Sequence, residues 1–180
     1  AVVFSIIRND TNNDMATSSI RKELFERWNV SADEIFKQAL ANSEKILPAR
    51  IENIGSVITK LLANVEDMEV DDVADVENEN LYVLSNVMKL NGAATILYKD
   101  ILKEFADEKR VDEIIILPSS LHEVLLVPRL TEDMDLLQKC YEMVGEINKT
   151  EVDEKEVLSN NIYIYNRNAD KIILWNNERN

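Results

Sequence analysis

The sequence predicts an α+β fold: an antiparallel or mixed sheet of six to seven strands with helices packed on it. Three observations carry this. Residues 114–117 (IIIL) and 124–127 (VLLV) are each four consecutive aliphatic residues. Both faces of these strands are therefore apolar, which places them at the centre of a sheet covered on two sides. The break between them, PSSLHE at 118–123, has the Pro and Ser of a hairpin loop, so the strands are adjacent. Finally, apolar residues recur at helical spacing over three other stretches, so helices are available to cover the sheet.

Taken in order, AVVFSIIR (1–8) reads as a β-branched strand. NDTNND is a turn-rich loop, and MATSS (15–19) returns as a second strand. IRKELFERW is expected to be a helix with Ser18 or Ser19 as its N-cap. The next helix has the clearest start in the chain, because Ser31 and Glu34 form a capping box. Its buried face is predicted at Ile35, Phe36, Ala39, Leu40, Ser43, Ile46 and Leu47, with Pro48 as the stop. IENIGSVITKLLANV (51–65) reads as a third helix, and LYVLS (81–85) as a strand. A long helix is expected over 93–109, lined by Ala94, Leu97, Tyr98, Ile101, Leu102 and Phe105. The two central strands follow, with Pro128 ending the second. A helix from Glu132 to Lys149 buries Leu137, Cys140, Tyr141, Val144 and Ile147 or Asn148, and a short helix over DEKEVLS comes next. NIYIYNRNADKIILWN closes the chain as a hairpin with a polar loop at 166–170, and Tyr163, Tyr165 and Trp175 are expected on one aromatic face.

At 180 residues, with 46% hydrophobic and 30% charged residues, the chain is read as one globular domain over 1–180. It opens on Ala1 directly into a strand, so it is expected to be the C-terminal part of a longer native chain. The net charge of −14 comes from 34 acidic against 20 basic residues, and no basic cluster interrupts it. That balance disfavours direct nucleic-acid binding and anionic membrane surfaces. No apolar run reaches the roughly 18 residues of a membrane span. The single cysteine, Cys140, cannot form an internal disulfide and suits a reducing cytoplasm.

Residues 66–79 hold eight acids and no base, but they lack the glycine and the spacing of a calcium loop. They read as a solvated acidic loop. Three isolated glycines cannot make a nucleotide fingerprint. HEVLL lacks the second histidine of a zinc helix, and no metal or cofactor is expected. The one histidine, His122, makes PSSLHE the only candidate site. In the sharper reading His122 is a general base oriented by Glu123, and Ser119 or Ser120 supplies a hydroxyl to a ligand or a reaction. In the plainer reading these residues form a hairpin loop, because consecutive side chains point to opposite faces.

The segments YVLSNVMKLNGAATILYKDILKEFA, IILPSSLHEVLLVP and LFERWNVSADEIFKQALANSEKILP resemble a bacterial domain family of unknown function, typical of gut Clostridia and related Gram-positive anaerobes. The resemblance implies a bacterial, cytoplasmic α+β domain preceded by a further N-terminal region. It brings no activity, cofactor or catalytic residue. The expected function is a non-enzymatic protein-interaction or regulatory domain with a protein partner. The alternatives are a small-molecule-binding or hydrolytic domain with its site at Ser119, Ser120, His122 and Glu123, or an acidic mimic of nucleic acid.

Overall fold

The computed structural model describes residues 3–9, 15–55, 80–118, 120–131, 134–150 and 152–175. The chain divides into two compact units, Ala1–Ile46 and Leu47–Asn180.

In the first unit, β1 (Ser5–Asn9) and β2 (Met15–Ser19) form an antiparallel hairpin in which Ser5 pairs with Ser19. Two helices follow, α1 (Lys22–Trp28) and α2 (Ala32–Ile46). Ser18 and Ser19 do not cap α1, because they are the last two residues of β2. The cap position is Arg21, in extended backbone and without a side-chain bond. Asn29 ends α1 in the left-handed region, which its short polar side chain tolerates. The predicted capping box is present. Glu34 N–H donates to Ser31 Oγ at 3.2 Å, and Ser31 N–H donates back to Glu34 Oε2 at 2.8 Å. These bonds hold the Glu34 carboxyl below its ordinary range, the Ser31 backbone donor contributing most. Helix α2 stops two residues before Pro48, as a proline requires. Its apolar stripe is only half-buried, and Ile46 is exposed, contrary to expectation. Phe4 lies 6.1 Å from Phe25 and 6.3 Å from Phe36, ring centre to ring centre.

The second unit is built on a six-stranded sheet. Its strands are β3 (Ala49–Asn53), β4 (Tyr82–Asn86), β5 (Glu113–Leu117), β6 (Val124–Arg129), β7 (Tyr163–Asn166) and β8 (Lys171–Leu174). Their order is β3-β4-β6-β5-β7-β8, and every neighbouring pair is antiparallel. The expected α+β architecture is therefore present, with the aliphatic strands β5 and β6 at the centre. Ile114 to Leu117 are all buried.

The pleat sends alternate residues to two cores. On one face Leu84, Ile114, Ile116, Val124, Leu126 and Tyr165 meet the buried residues Leu102, Phe105 and Ala106. These come from α3 (Ile101–Lys109). On the other face Ile115, Leu117 and Ile162 meet Leu137, Cys140 and Val144 of α4 (Met134–Thr150). Cys140 is a small core residue whose thiol pKa is raised by burial.

Five local expectations are corrected here. Ile51–Asn53 are strand β3 rather than the start of a helix; positions 56–65 of that expected helix, and the acidic stretch 66–79, lie outside the described residues. The long helix over 93–109 is two pieces, a 3-10 segment Gly92–Leu97 and then α3. Between them Tyr98 is extended and Asp100 is left-handed, which no continuous helix allows. Strand β6 runs through Pro128 to Arg129. β4 pairs only with Val124 to Leu126, so a residue lacking N–H at 128 costs no bond on that side. DEKEVLS is a turn rather than a helix, tied by Lys155 N–H to Asp153 Oδ1 at 2.9 Å. Trp175, moreover, packs in the α4 core with Tyr141, whereas Tyr163 and Tyr165 pack in the opposite core.

Candidate functional site

Antiparallel order brings the end of β4, the β5–β6 connection and the approach to β7 to one end of the sheet. PSSLHE lies there between two other loops, and each of these is shaped by a short polar side chain. After β4 the chain wraps around the buried Asn86. Its Nδ2 donates to Leu90 O at 2.8 Å, and its Oδ1 accepts from Met88 N–H at 3.0 Å and Leu90 N–H at 3.3 Å. Before β7, Asp153 Oδ1 accepts from Lys155 N–H at 2.9 Å, and the Asp153 carbonyl accepts from Glu156 N–H and Val157 N–H.

The PSSLHE turn is bonded internally and to both loops. Ser120 N–H donates to Glu123 O at 3.2 Å, and His122 N–H donates to Ser120 Oγ at 3.0 Å. Leu121 N–H donates to Glu156 O, and Leu121 O accepts from Ala93 N–H. Ser85 Oγ donates to His122 O at 2.7 Å. Asn91 N–H donates to His122 Nδ1 at 3.2 Å. Because Nδ1 accepts, the neutral ring carries its proton on Nε2, and Nε2 lies 3.6 Å from Glu156 Oε1.

The sequence-nominated residues are thus only partly brought together. Ser120 and His122 are bonded to one another, but through a backbone donor. Ser119 lies outside the described residues. Glu123 bonds through its carbonyl, and the residue lines a cavity of about 340 Å³ together with Arg50, Glu52, Ser85, Asn86 and Lys89. The carboxylate beside the imidazole is that of Glu156, not Glu123. Chemically, the imidazole here accepts a backbone hydrogen bond and faces one carboxylate, which is a fastening arrangement. Sequence reasoning missed Asn91, Gly92 and Glu156. The glycine in KLNGAA was a usable signal for close backbone approach, but nothing local marks Glu156 as a partner of His122. Among the described residues no group of three or more His, Cys, Asp or Glu side chains could hold a metal ion. Nor is any described helix long and apolar enough to cross a membrane.

Fold and turn together define an α+β protein whose antiparallel six-stranded sheet is covered by helices on both faces and laced at one end by three loops. The chain belongs to a family of unknown function (DUF5688), whose model matches residues 1–167. It matches none of the curated proteins and none of the solved structures with which it was compared.

Proposed function

We propose that this chain is a non-enzymatic protein-interaction or regulatory module of the bacterial cytoplasm. The observation that carries the reading is the open apolar surface of residues 1–46. Neither α1 nor α2 contains a buried residue, and Val3, Ile6, Trp28 and Ile46 are between 46% and 72% exposed. Beside them a cleft is lined by Val3, Phe4, Ile20, Phe25 and Phe36, and an exposed apolar cleft is a feature of interaction surfaces. A net charge of −14 favours a basic protein partner and opposes binding to phosphate backbones. One buried cysteine suits a reducing compartment. A ligand role for Ser119, Ser120, His122 and Glu123 is the weaker reading, because the ring of His122 is already bonded to Asn91 and its carbonyl to Ser85 of β4.

The test is affinity capture from a lysate with three baits: the full chain, a Trp28→Ser/Ile46→Ser variant, and a His122→Ala variant. The expected result is a basic protein retained by the full chain and by His122→Ala, and lost with the double variant. Retention that ignores the double variant, or nothing held above the tag alone, would sink the reading.

A further inference from the structure

His122 is the only histidine in the chain, and imidazole is the side chain that ordinarily changes charge between about pH 5 and 8. Its two nitrogens face different loops. Nδ1 accepts from Asn91 N–H at 3.2 Å, on the loop after β4. Nε2 faces Glu156 Oε1 at 3.6 Å, on the turn before β7. The first contact needs the Nδ1 lone pair, so it exists only with the neutral ring. The second gains from the charged ring, because a carboxylate then meets a cation. Its 3.6 Å separation leaves room to close to a charge-assisted bond of about 2.7–2.9 Å. The two contacts therefore favour opposite protonation states. The ring and the carboxylate are 36% and 46% exposed, so protons reach both from solvent.

The loop after β4 holds its own shape around Asn86, which bonds Met88, Lys89 and Leu90. Lys89 and Asn91 are left-handed, with φ of 52° and 50°, a conformation that costs residues with a Cβ. Two backbone donors tie the end of this loop to PSSLHE: Asn91 N–H to the imidazole, and Ala93 N–H to Leu121 O. Only the first ends on a group that titrates. The charged residues around the ring are Glu123 on its own turn, Lys89 on the loop after β4, and Asp153, Glu154, Lys155 and Glu156 before β7; the segment Gly92–Leu97 carries none. Of these, Glu156 is the one paired with the ring.

We propose that His122 is a proton-operated clasp: neutral, it fastens the loop after β4 to the PSSLHE turn; protonated, it releases Asn91 and closes on Glu156. Val87 and Lys89 of the released loop line the cavity of about 340 Å³ together with Glu123. Acid thus loosens one wall of that cavity, while PSSLHE stays tied to the turn before β7 through Leu121 N–H and Glu156 O.

NMR of the full chain between about pH 5 and 8 tests this. The ring signals belong to His122 alone, and amide exchange is read as protection relative to the intrinsic rate at each pH. Protection at Asn91 is expected to fall roughly tenfold as the ring takes up its proton, the scale of one lost hydrogen bond. Protection at Ala93 should hold. Glu156→Gln keeps the side chain's size and removes its charge, so release of Asn91 should then need a lower pH. His122→Phe has no acceptor and should leave Asn91 unprotected throughout. Should His122→Phe fold poorly, the unsubstituted chain and Glu156→Gln still decide. Constant protection at Asn91 across the ring's titration overturns the proposal. So does an equal loss at Asn91 and Ala93, which is a general loosening of the loop end rather than an exchange of partners. Release at an unchanged pH in Glu156→Gln overturns the closure on Glu156.

Discussion

Gly92 shows how one residue holds the loop end of the sheet together. A Cβ at this position would lie 2.1 Å from Ser85 Oγ, 2.5 Å from His122 O and 2.8 Å from Asn86 N. Two of these neighbours are backbone atoms and cannot rotate away. The same closeness lets Ser85 Oγ bond to His122 O, and lets the Asn91 and Ala93 N–H groups reach the PSSLHE turn. Gly92→Ala is expected to destabilise the chain by about 1–3 kcal/mol, the usual cost of forcing a shift in packed structure. Chemical denaturation measures it. Adding Ser85→Ala removes the side-chain clash but not the backbone ones, so it should restore only part of the loss; full restoration would contradict the packing described here. The histidine was conspicuous in the sequence, and its turn was legible as a hairpin. What it bonds to was not, because Asn91 and Glu156 reach it only through the sheet's topology.

Among the elements, the legible ones were those whose pattern has a single reading. Four aliphatics in a row, bounded by polar residues, identified β5 and β6. A serine three residues before a glutamate identified the start of α2. β3 was missed because ARIEN runs on into IGSVITKLL, whose helical spacing dominates any window that contains both. The break at Tyr98–Asp100 was missed because no Gly or Pro marks the join, and the 3-10 piece accordingly buries Ala93 and Thr95 and leaves the expected stripe residues Ala94 and Leu97 exposed. The terminal hairpin was legible from its strands and polar loop, and its chemistry adds a detail. Tyr165 is buried, and its OH donates to Asp170 Oδ1 at 2.7 Å, closing the loop at a left-handed residue. Burial first, then this bond, raises the phenol pKa well above its ordinary value of 10.0. The native state therefore holds this proton more tightly than the unfolded chain does. The associated stability is full below pH 10 and is lost as pH rises toward the native pKa. Tyr165→Phe should cost about 0.5–1.5 kcal/mol at neutral pH and flatten the alkaline loss of stability. An alkaline melting profile unchanged by the substitution would show that another group governs it.

Across the whole molecule, stabilising burial is distributed unevenly. Every buried hydrophobic residue among those described lies at Leu47 or beyond, and all but Leu47 and Tyr98 fall in the two clusters on either face of the sheet. Each fully buried aliphatic side chain there contributes about 1.5–3 kcal/mol, and the helices that supply the cover are in the same unit. Residues 1–46 have a hairpin, two helices and a cluster of three phenylalanine rings, but no buried hydrophobic residue among those described. Units of this size fold alone only with help from disulfides, metals or partners, and helices of seven and fifteen residues are marginal without tertiary packing. Residues 47–180 produced alone are therefore expected to keep the sheet signature in circular dichroism and a single cooperative melt. Residues 1–46 alone should melt broadly, without a cooperative step. The comparison also bears on function. An N-terminal unit that acquires its core from a partner would gain cooperativity when that partner is added, and the sheet unit would not change. A broad, non-cooperative melt for 47–180 would instead make the whole chain one folding unit and remove the physical basis for treating the open N-terminal face as a surface awaiting cover.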